Sequence, residues 1–486
     1  MGLRIENINL NLLSSEQSLR YDFSFLEYRK NQLKLTDYYT FLELFDIVEK
    51  SNVDLEPFNE INYVEIGDIS KQGDINPIKL DLLSRKEEYE SYYKKIDKGD
   101  IIKVMEGDIL ISSIRPNLKK IALIDNESEE YFYTKALIHL RPKIDPIIAY
   151  YLLRTVHFNF INSVSRIGKG YPTLKTDDLK TLIFNKEIID SLLRIDTQKI
   201  KKYLYEIKDL IKAQENEKDI INEEFAQFFN YDKNLWKSFG KGMTAGTQRS
   251  LEKKLSIFTT KFEDLSNSKT LRFSSRFHKP EVKFLESILK THETIKVKSL
   301  LKENEEIHRG TQPKNSENGY IPAIKTGQLK NSYIDLSETD LVEENFYNKQ
   351  LKARVMNKDI LIASTGKVSL GKIDIYKEDQ KAVCDGHINI IRVDNQKVLP
   401  EYFIYFFRSI VGAFQIERDY TGATNQIELY ANEISFFKII NLSLEKQAEI
   451  VKKIKDRIQA QQEYTKMIEE KRSEIEKIIL DSLQNI

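Results

Sequence analysis

At 486 residues the chain is long enough for two or three domains, and 41% hydrophobic with 10% aromatic residues predicts that most of it folds. Its 75 basic and 75 acidic residues cancel, which excludes a polycation that holds nucleic acid by bulk charge but permits local basic patches. Cys384 is the only cysteine, so an intrachain disulfide and a cysteine-built zinc site are excluded.

The opening stretch, "MGLRIENINLNLLSSEQ", lacks the long apolar core of a signal peptide. No later run approaches the roughly 18 apolar residues that span a bilayer. With one cysteine, this predicts a soluble protein of the reducing cytoplasm and no membrane partner. Residues 1–185 read as a first mixed domain, with β-type runs such as "DILISSI" bounded by Gly, Pro, Asn and Asp. The apolar segment "IIAYYLLRTVHFNFIN" is long and free of turn residues, so it reads as a buried helix. Two polar turns stand out here. One carries Arg115, Asn117, Lys119 and Lys120, and the other Arg166, Lys169, Tyr171 and Thr173.

A helical segment, 186–230, follows. Ile200, Leu204, Ile207, Ile211, Ile221, Phe225 and Phe228 fall at spacings of four and three, with Gln214 and Lys218 filling the middle positions. An apolar seam with charged outer faces predicts a coiled coil. Residues 231–270 read as a linker, marked by Gly240, Gly242 and Gly246 and anchored by Trp236, the sole tryptophan.

After the linker the chain repeats itself. "SLRYDFSF" from Ser18 answers to "TLRFSSRF" from Thr270, and "EGDILISSIRPNLKKIALI" from Glu106 to "NKDILIASTGKVSLGKIDI" from Asn357. "DPIIAYYLLRT" from Asp145 answers to "LPEYFIYFFRS" from Leu399. "SRIGKGYPTLKTDDLKTLIF" from Ser165 answers to "DYTGATNQIELYANEISFFKII" from Asp419, with Gly168 set against Gly422. The offset stays near about 250 residues, the size of a domain with its helix rather than of a solenoid unit. Residues 271–441 are therefore a second domain, and 442–486 a second helix with its seam at Ile454, Ile458, Ile468, Ile475 and Ile479. Gln461, Thr465 and Arg472 interrupt that seam, and polar residues at core positions fix register. Two matched seams predict that the helices pair with each other. The fold class expected is mixed α/β, with two similar globular domains separated by two long helices.

Catalytic signatures are missing. There is no Walker A sequence and no G-x-S-x-G elbow, and "GKVSLGK" at Gly366–Lys372 has the wrong spacing for a P-loop and reads as a hairpin turn. The six histidines are scattered, and "CDGH" at Cys384–His387 reads as a strand-end turn. The chain is expected not to be an enzyme and to bind no cofactor or metal itself. What it does carry is donors in paired turns. The second domain answers the first with Lys367, Ser369 and Lys372, then with Thr424, Asn425 and Gln426, and "HRGTQPK" adds Arg309, Gln312 and Lys314. Arg and Lys bond guanine in the major groove and Asn and Gln bond adenine, while other donors hold phosphate. A turn pattern that repeats while its side chains differ is what two readers of different words require. The alternatives are a protein-binding scaffold on a helical stalk, which would show no salt-sensitive DNA affinity, and a hidden metal-dependent nuclease.

On these residues the chain resembles the specificity subunits of type I restriction-modification systems. The second half, "TGATNQIELYANEISFFKIINLSLEKQAEIVKKI", follows the family's turn, acidic helix and Leu-Glu-x-Gln helix start. The first half, "IGKGYPTLKTDDLKTLIFNKEIIDSLLRI", keeps the turn and acidic pair but lacks Leu-Glu-x-Gln. The Asp-Ile-Leu strand, Asp108–Ser112 and Asp359–Ala363, is also typical of the family. The resemblance implies two target-recognition domains related by a pseudo-twofold axis, each reading half of a split site in double-stranded DNA. It implies antiparallel helices that hold the domains apart and bind two methyltransferase subunits, with restriction subunits as further partners. Those partners would use S-adenosylmethionine, ATP and Mg. About 30 residues of helix span roughly 45 Å, and successive major grooves on one duplex face lie about 34 Å apart. A type II system with a fused methyltransferase-nuclease would use the same kind of subunit.

Overall fold

The computed structural model describes residues 23–32, 34–50, 53–85, 89–167, 170–236, 259–261, 275–422 and 427–484. The chain divides into two compact units, Met1–Lys212 with Thr465–Ile486, and Ala213–Tyr464.

Both units are mixed α/β and share one topology. In the first, the main sheet runs Phe45–Ile47, Leu137–Pro142, Ile109–Ser112, Ile121–Leu123, with all neighbours antiparallel. In the second it runs His308–Arg309, Ile388–Ile391, Ile360–Ala363, Ile373–Ile375, again all antiparallel. A second sheet in the first unit sets Glu60–Val64 antiparallel to Ile78–Asp81 and parallel to Phe132–Tyr133. Its counterpart sets Ile321–Ile324 antiparallel to Asp340–Val342 and parallel to Ala382–Cys384. A two-stranded ribbon ties the ends of each domain together, Tyr38–Thr40 with Ile183–Asn185 and Thr294–Lys296 with Lys438–Ile440.

The "DIL" strands are apolar at successive positions because they are covered on both faces. Ile109 and Ile111 face the helical core of the first unit, while Leu110 joins a cluster with Val64, Ala122 and Tyr133. Ile360 and Ile362 likewise face the helical core of the second, and Leu361 and Ala363 pack with Ile324 and Cys384. The acid before each strand is buried. Asp108 accepts from Arg141 at 2.8 and 2.9 Å, and Asp359 accepts from Arg392 at 3.1 and 3.2 Å. Each acid also accepts from a backbone N–H three residues back, Met105 at 2.9 Å and Met356 at 2.8 Å.

The apolar segments differ from the single buried helices expected. Pro146–Tyr151 passes through a π-helical turn, Leu152–Val156, and restarts as Phe158–Val164. Pro400–Arg408 ends at Ser409 and restarts as Ile410–Asp419. Asn222 Oδ1 accepts from Ile410 N–H at 2.8 Å, so a side chain supplies the bond that a continued helix would have made. A Cβ on Gly412 would lie 2.1 Å from Phe406 O, so the second helix folds back only because that residue is glycine. At the first break His157 is buried, stacked 4.8 Å from Phe160, and its Nε2 has no hydrogen-bond partner among the described residues.

Burial holds the His157 imidazole well below its ordinary 6.5, at about 4. A histidine kept neutral in the fold confers stability that is complete above the unfolded pKa and is lost as pH falls from about 6.5 toward 4. We expect the first unit to lose about 2 kcal/mol between pH 7 and pH 5 through this residue. His157→Phe should flatten that dependence in urea titrations at the two pH values. An unchanged slope would show that other groups cause it.

The helices after the first domain also depart from expectation. Residues 186–230 form three helices, α1 (Lys186–Leu192), α2 (Gln198–Ala213) and α3 (Glu217–Phe229), where one was expected. Asn216 caps α3 by accepting from Lys218 N–H at 2.9 Å, and Gln461 Oε1 accepts from Glu215 N–H at 2.8 Å. Gln214 and Gln461, read as register pins inside a continuous coiled coil, thus mark a helix break and its closure. The return helix α4 (Leu444–Asp481) is continuous. In the first unit Ile200 and Ile207 are buried with Ile468, Ile475 and Ile479, and Leu204 and Ile211 pack against them. In the second unit Ile221 and Phe225 are buried with Ile454, and Phe228 and Ile458 pack against that cluster. Arg472 donates to Asp74 at 2.7 and 2.8 Å, and Arg457 gathers Glu215, Glu223 and Glu224.

Gln447, the glutamine of Leu-Glu-x-Gln, is buried. Its Oε1 accepts from Leu399 N–H at 2.8 Å and its Nε2 donates to Lys397 and Leu442 carbonyls. In the first unit Asp145 caps its own helix through Ile147 and Ile148 N–H and accepts from Thr197 at 3.3 Å. Trp236 donates to Asp219 at 3.0 Å, anchoring the start of the linker, while residues 237–258 and 262–270 lie outside the described residues. No helix among the described residues is long and apolar enough to cross a membrane.

Candidate nucleic-acid interface

The polar turns sit where each "DIL" strand leaves its sheet, and the same backbone frame holds both. In the first unit Leu174 N–H donates to Ser113 O at 2.9 Å and Arg115 N–H to Pro172 O at 2.8 Å. In the second, Leu429 N–H donates to Ser364 O at 2.8 Å and Gly366 N–H to Ile427 O at 3.3 Å. Thr173 pairs with Arg166 in a short hairpin, as Thr421 bridges Glu428. The acid that follows is a cap. Asp178 accepts from Lys175 N–H and Glu433 from Tyr430 N–H, each at 3.1 Å. This hydrogen-bonding sets Arg166 against Thr421 and Thr173 against Glu428, so Gly422 stands opposite Ile167 rather than Gly168.

On this frame the first unit presents Arg115, Asn117 and Tyr171 outward. Arg115 has φ 50°, a left-handed conformation uncommon without glycine, and Pro116 begins the short turn behind it. Its guanidinium lies 5.4 Å from the Tyr171 ring centre. Thr173 is half-buried in its strand. Other candidates of this group turn inward. Arg166 donates to both oxygens of buried Asp178 at 2.8 to 3.0 Å. Lys120 donates to Ile66 O at 2.7 Å. Lys119 is half-buried 5.4 Å from the Phe158 ring centre, and burial, then Arg154, pushes its ammonium down. These three shape the turn and are not its outward donors.

The second unit presents Arg309, Gln312 and Lys314 outward. Arg309 pairs with Glu428 and donates to Gly386 O. Lys367 and Ser369 are half-buried in the Gly366–Gly371 hairpin turn, where Lys372 N–H donates to Ser369 O at 3.0 Å. Lys372 is half-buried too, its ammonium pushed down by burial and by Lys330. Lys169, Thr424, Asn425 and Gln426 lie outside the described residues.

Sequence reasoning passed over several groups that stand beside these. Thr365 Oγ1 meets His387 Nδ1 at 2.9 Å, although "CDGH" had read as a bare turn. Glu428 is the partner of Arg309, and only the alignment of the repeat with Thr173 marks its place. Ile114 and Val368 expose apolar surface at the two turns. Among the described residues no group of three or more His, Cys, Asp or Glu side chains could hold a metal ion.

Residues 291–477 match the family model for the type I restriction modification DNA specificity domain. No curated protein sequence matches the chain. Among solved structures, the type I restriction-modification S subunit from M. genitalium aligns at 14% identity and TM-score 0.45, over 93% of this chain and 96% of its own. The HsdS subunit from Thermoanaerobacter tengcongensis aligns at 14% identity and TM-score 0.30, over 91% and 95%. A chain from a structure of type I R-M complex assembly and conformational transition aligns at 12% identity and TM-score 0.40, over 92% and 98%.

Proposed function

We propose that the chain is a specificity subunit of the type I restriction-modification kind, as the match of residues 291–477 to the type I restriction modification DNA specificity domain supports, and that its two units divide the reading of DNA. It is a DNA sequence-recognition subunit. Each unit reads one half of a bipartite site, and the chain performs no chemistry itself. The observation that carries this is the turn frame, built once on Ser113 and Leu174 and again on Ser364 and Leu429. One backbone with different outward side chains suits two words rather than one.

In the first unit Arg115, Asn117, Tyr171 and Thr173 are the contacts we assign, together with Lys169. In the second they are Arg309, Gln312, Lys314, Lys367 and Ser369, together with Thr424, Asn425 and Gln426. Planar and amide donors read base edges, and lysines hold phosphates. A mismatched pair costs about 1–3 kcal/mol, so a few specified pairs in each half-site suffice for discrimination. Two methyltransferase subunits seat on the helices and methylate an adenine flipped out of each half-site, and restriction subunits join them. S-adenosylmethionine, ATP and Mg belong to those partners, and the complex works in the cytoplasm.

A modified-base map of the host genome, with the gene present and deleted, tests this reading. A split motif should lose adenine methylation on deletion. A map that does not change would contradict it.

A further inference from the structure

We propose that Arg309 is a specificity-determining residue of the second unit, reading guanine in the major groove, with Glu428 as its positioning residue. The inference rests on the DNA-reading function proposed above. Arg309 ends the edge strand His308–Arg309, opposite Asn389. The next residue seats that edge tightly. Gly310 N–H donates to Ile388 O at 3.0 Å, and a Cβ on Gly310 would fall 2.1 Å from Asp385 O. The side chain is then held from two sides, by the Gly386 carbonyl at Nε and the Glu428 carboxylate at Nη1. Glu428 is itself fixed by backbone bridges to Thr365 and Thr421. The arginine side chain remains 40% exposed, and its Nη2 meets no acceptor among the described residues.

Charge decides between phosphate and base. A phosphate contact draws on a net cation, but Glu428 neutralises Arg309 and would repel phosphate oxygens brought to the same guanidinium. Guanine O6 and N7 are neutral acceptors in fork geometry, so they can meet the remaining donors without that repulsion. A fork already fixed in its plane also loses little side-chain entropy on binding. The first unit is built differently at the same place. There Thr173 stands where Glu428 does, and Arg115 stacks on Tyr171 with no ion pair among the described residues. One frame thus carries a neutralised arginine in one unit and a bare cation in the other.

The test is selection of duplex DNA from a randomised pool by the full-length chain, comparing the unaltered protein with R309A, R309K and E428Q. The unaltered chain should enrich a split motif with an invariant G·C pair in one half. R309A and R309K should each lose discrimination at that one position by about tenfold to a hundredfold. E428Q should weaken the same position and no other. The slope of affinity against salt should be unchanged in the double variant R309A/E428Q, which removes the pair without leaving a bare charge, because no phosphate contact is lost. A uniform loss of affinity with a shallower salt slope in that variant would make Arg309 a phosphate contact and overturn the proposal. So would a motif that R309K and R309A leave intact. An unaltered chain that enriches no motif would overturn the DNA-reading function and this assignment together.

Discussion

Arg392→Ala is expected to destabilise the second unit by about 3–5 kcal/mol, whereas Arg141→Ala, the same change in the first, should cost about 1 kcal/mol. Both arginines pair with the acid that precedes a "DIL" strand, but their surroundings differ. The Arg392 side chain is 6% exposed and that of Asp359 3%, so removal of the guanidinium leaves a carboxylate buried and unpaired. Burial already pushes the Asp359 carboxyl up, and Arg392 opposes that rise. Arg392 also donates to Arg354 O at 2.8 Å, a bond that would be lost with it. Arg141 is 43% exposed, and Asp108 keeps His139 at 2.6 Å and the Met105 N–H at 2.9 Å when Arg141 is gone. Burial raises the Asp108 carboxyl, yet His139, Arg141 and Met105 together bring it down to about 2. Denaturant midpoints of the two variants decide the matter. Equal losses would show that the two pairs contribute alike despite their different burial.

The second large effect lies on the helices. Phe225→Ala should cost the second unit about 3–5 kcal/mol, because the ring is fully buried and cannot be replaced by solvent. It touches Phe229, Tyr402 and Phe406 with ring centres 5.7 to 6.0 Å away, so its loss opens a cavity where α3 meets the domain. Met467→Ala, on an exposed face of α4, should change stability by less than about 0.5 kcal/mol. If the two substitutions proved equally mild, α3 would be an outer helix without a share in the core. Thermal unfolding of the variants measures both.

The duplication could be read in the sequence because each matched segment has a strong local reason for its pattern. "DILISSI" and "DILIAST" are apolar at consecutive positions because two layers cover them, and that condition holds in both units. The seams at Ile200 and Ile207, and at Ile475 and Ile479, follow from helical spacing alone. The breaks were hidden for the opposite reason. Nothing in "LYEIKDLIKAQENEKDI" shows that Gln461, far along the chain, will close the gap before Asn216. Ser409 breaks a helix because Asn222 waits at the restart, again a contact between distant residues. The turns were legible as places but not as contacts. Residue type singled out Arg166 and Lys120, yet Asp178 and the Ile66 carbonyl engage them inside the fold. Glu428 went unnoticed because an acid in a candidate DNA surface has meaning only once its arginine is seen beside it.

The proposed division of labour, two words read by one chain with one unit for each, is tested by exchange of residues 271–441 for the corresponding domain of a relative with a different target, followed by selection from randomised duplexes. One half of the selected motif should change and the other half should stay as it was. A motif that changes in both halves, or in neither, would contradict it.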